Sequence, residues 1–229
     1  MQQQLFSANA KLCDLITTNP ALLHILDRCG IRFGFGEKTV KSVCEEYSVD
    51  VHFFLLICNI YTFDGYLPEE EQFNSINISA LIEYLKLSHS HYLIKRVPHI
   101  EAHICRIASI MPAHVSSLLT EFFNQFKTGF SKHFTYEECT IFPHVQNILE
   151  GRRDSVKYNA SAAEHANIHN HLNDLVQIVV KYLPPSQTTD DMIDVVVDLL
   201  ELSVDIKHHQ DIEDKILHPI VKQLEKTLR

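Results

Sequence analysis

Glycine and proline are scarce, with 6 Gly and 8 Pro in 229 residues. Short strands joined by tight turns need more punctuation than that. The stretches between breaks are rich in Leu, Ile, Val, Glu and Lys at helical spacing, which excludes a β-rich fold and predicts an almost entirely helical chain. Cys-x-x-Cys pairs are missing. The six cysteines (Cys13, Cys29, Cys44, Cys58, Cys105 and Cys139) lie far apart, which argues against a zinc ribbon, a redox dithiol or a disulfide framework. Free thiols in a reducing cytosol fit instead, with Cys105 and Cys139 as small core or boundary residues. No Lys/Arg cluster stands out, and 20 Lys+Arg face 29 Asp+Glu for a net charge of -9. A counterion-release grip on nucleic acid or anionic lipid lacks its main ingredient, so neither is an expected partner. The first residues show no basic segment followed by an apolar one, so export is not expected. The most apolar run, Val51 to Tyr61, is broken by His52 and Asn59 and falls short of the roughly 20 residues a bilayer span needs. A cytoplasmic protein is the expectation. What the chain does have is 45% hydrophobic residues, enough for a real core, and 15 histidines.

Three or four short helices are expected from Ala10 to Tyr61, with breaks around Thr17-Thr18-Asn19-Pro20 and from Cys29-Gly30 to Gly36. The stretch from Leu67 to Asn74 reads as a linker. Four longer helical segments follow, at about Ser79 to Met111, Ala113 to Glu150, Asn159 to Leu183 and Asp190 onward. They are parted by Pro112, by Gly151-Arg152-Arg153-Asp154 and by Pro184-Pro185-Ser186-Gln187. Short connections make antiparallel neighbours, so the fold class is all-α: a small N-terminal helical module (1–66), a linker (67–76) and an up-down four-helix bundle (77–229).

A faint repeat lies inside the bundle. His133 and His209 are each followed by Glu four residues later (Glu137, Glu213) and by Pro ten residues later (Pro143, Pro219). His-x-x-x-Glu places imidazole and carboxylate one turn apart on one helix face. That face is apolar in both copies: Leu119, Phe122, Phe126, Phe130 and Ile141 continue the first stripe, and Leu199, Leu202, Ile206, Ile216 and Ile220 the second. A buried, uncompensated carboxylate costs several kcal/mol, and a metal ion is the simplest compensator. The other two helices supply His89, on the stripe of Ile78, Ile82, Leu85 and Leu93, and His165, on the stripe of Ile168, Leu172, Leu175 and Val179. His91 falls about 200° round from His89 and is expected to be exposed. His169 shares the face of His165 one turn along. The candidate metal ligands are therefore His89, His133, Glu137, His165, His209 and Glu213. Nitrogen and oxygen donors without thiolate suit iron or manganese, and two facing carboxylates can each bridge a pair of ions.

These residues resemble the hemerythrin-like di-iron fold, in particular the branch that repairs iron-sulfur clusters, the Repair of Iron Centers family. The H-x-x-x-E-x-x-x-x-F-P signature stands at His133 to Pro143. A partner copy at His209 to Pro219 has His218 for the aromatic, and a Glu-His pair stands at Glu164-His165. The stretch Leu81 to Tyr84 through His89-Ser90-His91-Tyr92 to Pro98 is similar to the family's first-helix segment, with Ser90 in place of one paired histidine. The run from Leu12 through Gly30 to Thr39 is similar to the family's small N-terminal domain, where Gly34-Phe35 stands in place of an adjacent Cys-Cys. The resemblance implies two iron ions in a carboxylate-bridged centre and a part in nitrosative or oxidative stress, by repair of iron-sulfur clusters or iron supply to them.

Taken singly, each core histidine is more often a hydrogen-bonded structural residue than a ligand, and one His-x-x-x-Glu more often a surface pair. Two copies at equal offsets on apolar stripes, with a core His on each remaining helix, shift the balance to a metal site. His24, His52, His99, His103, His114 and His171 have no such alignment and are expected to face solvent or partners. The aromatic run Phe122, Phe123, Phe126, Phe130 and Phe134 is expected to pack the core, or to form an apolar route for a gas. Function divides between iron-sulfur repair with an acceptor protein as partner and a non-enzymatic carrier or sensor of dioxygen or nitric oxide. An oxygen-activating oxidase is a third and weaker reading. Whether the chain is an enzyme, and whether it forms a homodimer, is left open by the sequence.

Overall fold

The computed structural model describes residues 5–69, 73, 75–152, 156, 162–183 and 190–227. Several expected features lie outside these residues: part of the acidic linker (Glu70, Glu71, Gln72, Asn74), the breaks at Arg153-Asp154 and at Pro184 to Gln187, the helix start at Asn159, and the Glu164 side chain. Among the described residues the fold is all helical, with one isolated backbone bridge between Lys11 and Thr39. None of their helices is long and apolar enough to cross a membrane. By Cα proximity the chain divides into two compact units, residues 1–88 with 211–220 and residues 89–210 with 221–229.

The first unit contains four short helices, α1 (Leu12–Thr18), α2 (Leu22–Arg28), α3 (Val40–Glu46) and α4 (Val51–Thr62), and most of α5 (Ile78–His91). Their limits follow from local chemistry. Thr39 and Asp50 accept hydrogen bonds from the backbone N–H of Ser42 (3.2 Å) and Phe53 (2.7 Å), the N-cap role these residue types favour. Beyond α2, Gly30 takes φ +69°, where a Cβ is disfavoured, and Ile31 N–H closes onto the Leu26 carbonyl at 2.9 Å. The core is apolar (Leu15, Leu22, Ile25, Val43, Phe54, Ile57, Leu81, Leu85). One cation is buried in it: Arg28 Nη1 donates to the Tyr61 hydroxyl at 2.7 Å and lies 3.3 Å from that of Tyr84.

The second unit contains α6 (Val97–Ile110), α7 (Ala113–Tyr136), α8 (Phe142–Leu149), α9 (Ala162–Tyr182), α10 (Asp190–Ile212) and part of α11 (His218–Thr227). Three π-turns, Tyr92–Arg96, Glu137–Ile141 and Glu213–Leu217, join α5 to α6, α7 to α8 and α10 to α11. With α9 this makes four long helices, the bundle expected from the sequence. The π-turns have a common cause. Pro98, Pro143 and Pro219 each stand six residues after a π-turn begins. A proline donates no N–H and crowds the carbonyl four residues back. Widening the turn relieves the crowding, and the residue before each proline donates to the carbonyl five back: Val97 to Tyr92, Phe142 to Glu137, His218 to Glu213.

The bundle core is built from Val97, Ile100, Ile104 and Ile107 of α6, the phenylalanines of α7, Ile168, Leu172 and Leu175 of α9, and Val195, Leu199, Leu202 and Ile206 of α10. Each such side chain contributes roughly 1.5–3 kcal/mol on burial. The rings of Phe126, Phe130 and Phe134 form a column with centroid spacings of 5.1 and 4.3 Å, so the aromatic run packs the core as expected. Three expectations fail. Cys105 and Cys139 are exposed, because Cys105 points about 100° away from the core residue Ile104 and Cys139 sits on the outer side of a π-turn. His103 is buried, and His91 is half-buried.

Two outcomes are expected. Gly129 lies in the interior of α7 and an added Cβ would meet nothing within 4 Å, so Gly129→Ala should stabilise the protein by about 0.5–1 kcal/mol, read by denaturant unfolding. Alkylation of the native protein followed by mass spectrometry should label Cys105 and Cys139 first. Cys44, Cys58 and Cys29 should react only on unfolding: the first two are buried, and burial raises the Cys29 thiol to about 12.

Candidate metal centre

Five of the six ligand candidates lie at or just before π-turns; the sixth, His165, stands near the start of α9. His89 lies three residues before the first π-turn, while His133 and His209 lie four residues before the second and third, which Glu137 and Glu213 open. All six side chains are buried: His89 is 0% exposed, His209 1%, Glu213 4%, His133 5%, and Glu137 and His165 6% each. Interiors hold such groups only when they are paired or bind a metal.

Five of the six converge around the Glu137 carboxylate. Its Oε1 is 3.1 Å from His133 Nε2 and 4.0 Å from His165 Nε2, and its Oε2 is 3.3 Å from His89 Nε2. His89 Nε2 in turn stands 3.1 Å from His209 Nε2. Two triads result, His89-Glu137-His209 and His133-Glu137-His165, each with its ligand atoms within 4.8 Å of one another and both sharing Glu137. Glu213 follows His209 by one turn of the same continuous helix.

Whether a metal fits is decided by the donor set. Ligand bonds of about 2.1 Å set neighbouring donors about 3.0–3.4 Å apart, the range of the His89–His209, His89–Glu137 and His133–Glu137 separations. Glu137 Oε2 is buried yet accepts no hydrogen bond of good geometry, as expected of an oxygen turned toward an ion. Burial alone would push the Glu137 carboxyl up. The imidazoles of His133, His165 and His89 around it overcome this and hold it well below the usual carboxylate range, so it stays ionised and available as a ligand.

Neighbouring residues fix the imidazoles. His89 Nδ1 is 2.9 Å from Glu138 Oε1; a proton held there leaves Nε2 as the lone-pair nitrogen directed inward. Phe134 stacks on the same ring at 3.9 Å between centroids and 12° between planes. The rings of His133 and His165 stand 4.9 Å apart and nearly perpendicular. His169 is not in either triad: its Nε2 is 2.7 Å from Gln210 Oε1, and its Nδ1 3.4 Å from Ser203 Oγ. A cavity of about 310 Å³ opens beside His133, with Phe126, Phe130 and Ile168 as apolar wall and Lys132, Asn167 and His171 as polar groups. Sequence reasoning missed Glu138. Its signal is the Glu-Glu doublet, in which the second carboxylate falls about 100° off the apolar stripe.

Residues 81–221 match the family model described as the Hemerythrin HHE cation binding domain. No curated protein matches the chain.

Removing the Glu138 carboxylate should loosen the orientation of His89. Glu138→Ala is expected to lower metal affinity by roughly 10–100-fold in chelator competition, with helix content unchanged. Glu138→Gln, whose amide oxygen still accepts from Nδ1, should recover most of it.

Proposed function

The chain belongs to the hemerythrin HHE cation-binding family, and on that premise we propose that His89, His133, Glu137, His165, His209 and Glu213 hold two iron ions in a carboxylate-bridged pair. The observation that carries this reading is the pair of buried triads sharing one carboxylate. Two carboxylates and four imidazoles are too many donors for one ion that must also keep a position open. Glu213 heads its π-turn as Glu137 does, and both carboxylates would serve as bridging ligands.

Bound iron supplies a redox-active centre able to take a small ligand at an open position. The chain's own residues do the rest. Glu138 keeps the His89 proton on Nδ1, Phe134 fixes the orientation of the ring by stacking on it, and the phenylalanine column keeps bulk water from the His89 side. The cavity beside His133 is large enough to admit a diatomic gas or peroxide. The biological role we assign is that of the Repair of Iron Centers branch: a cytoplasmic protein of nitrosative and oxidative stress that restores iron-sulfur clusters or supplies their iron, with an apo iron-sulfur protein as acceptor. Support comes from the matching first-helix segment, Leu81 to Pro98, and the similar N-terminal run. A second reading, reversible binding of dioxygen or nitric oxide as a carrier or sensor, is favoured by Gly34-Phe35 standing where that branch has paired thiols.

Protein purified from iron-replete cells should contain close to two iron ions per chain and change its optical spectrum with dithionite. Glu137→Ala and Glu213→Ala should each lose most of that iron, while His91→Ala keeps it. A stoichiometry near one, or retained zinc, defeats the binuclear assignment. Reduced protein that passes iron to an apo ferredoxin supports repair; protein that keeps its iron while binding nitric oxide supports the carrier.

A further inference from the structure

A second cluster of ligating side chains lies in the same unit, away from the centre already described. His99 and His103 stand one turn apart on α6, and Asp198 faces them from α10. One nitrogen of each histidine and one oxygen of Asp198 lie within 4.8 Å of one another. His99 is ten residues beyond His89 and Asp198 eleven before His209, which puts the cluster about 15 Å along the helices from the first centre. The sequence offered no apolar stripe to mark it, yet His103 is 8% and Asp198 9% exposed.

We infer that His99, His103 and Asp198 form a binding site for one divalent cation of the zinc type, joining α6 to α10. Three features of the cluster support this. His99 Nε2 and Asp198 Oδ2 are 3.3 Å apart, and a tetrahedral cation with bonds of about 2.0–2.1 Å sets its donors about 3.3–3.4 Å apart. The other Asp198 oxygen, Oδ1, is 3.3 Å from Arg96 Nη2, so the guanidinium orients the carboxylate and leaves Oδ2 for the cation. Finally, His103 Nδ1 is 3.0 Å from Asp191 Oδ1, the carboxylate-histidine pairing that orients metal-binding imidazoles.

Arg106 Nη2 also stands 2.8 Å from His103 Nδ1, and one tautomer satisfies only one of these contacts. A cation on Nε2 requires the proton on Nδ1 and selects Asp191, whose Oδ1 Arg106 Nε holds in place at 2.9 Å. Charge favours a cation as well. Asp191, Asp194, Asp198 and Glu201 surround the site against Arg96 and Arg106. Two imidazoles and one carboxylate suit zinc, with water as the fourth ligand.

The test is zinc titration of the iron-loaded full chain against a chromophoric chelator, with iron measured in the same samples. The expected result is one zinc per chain bound without release of iron. His99→Ala, at a position whose side chain is 57% exposed, should weaken that equivalent at least about 100-fold with unchanged helix content and iron. Asp191→Asn should weaken it about tenfold. Zinc uptake that is the same in His99→Ala as in the wild type, uptake only in exchange for iron, or no uptake at all, overturns the site.

Discussion

The carboxylate of Glu137 is the constraint on which the bundle's centre depends. It is ionised, almost fully buried, and placed where a helix would ordinarily put a leucine. Desolvation on that scale costs several kcal/mol unless it is compensated, and the compensation comes from His89 and His165 on two other long helices and from His133 on its own. The positions of His89 and of α9 beside α7 are thus set by a shared electrostatic need as well as by apolar contact. Phe134, stacked on His89, belongs to both: it closes the aromatic column and fixes the orientation of a ligand ring.

The π-turns connect backbone chemistry to this arrangement. Each is the local answer to a proline that an α-helix does not accommodate, and each falls beside a candidate ligand. One added residue per turn moves the buried stripe round by about 100°. On the second long helix the stripe runs through Phe130, His133 and Glu137, then resumes at Phe142, Val145 and Ile148. The polar pair therefore lies where two apolar stripes of different phase meet. Ser88, ten residues before Pro98, is the first-helix counterpart of His133 and His209 and is fully buried; His89 beside it reaches the site instead.

The bundle also separates two kinds of polar interior. Around Glu137, imidazoles gather on a carboxylate with no guanidinium among its described contacts. Between α10 and the segment from Arg96 through α6, Arg96 and Arg106 are interleaved with Asp191, Asp198 and Glu201, so ion pairs offset part of the negative charge and leave an excess of it. Exposed pairs of that sort add little stability singly, but they hold carboxylates in fixed positions, and fixed carboxylates are what orient the His99-His103 pair.

The helical class, the four long segments and their apolar stripes were legible in the sequence, because periodicity reports how side chains are arranged around a helix's own axis. For the same reason His89, His133, Glu137, His165, His209 and Glu213 stood out as polar residues at core phase. Periodicity carries no information on which atoms meet across helices, nor on a phase slip within one. The pairing of Glu138 with His89, the exposure of Cys139 and the burial of His103 against Asp191 depend on those two things. Residues 89 and 138, 103 and 191, or 99 and 198 come together only when four helices pack in one register, and that register was decided by the tertiary structure.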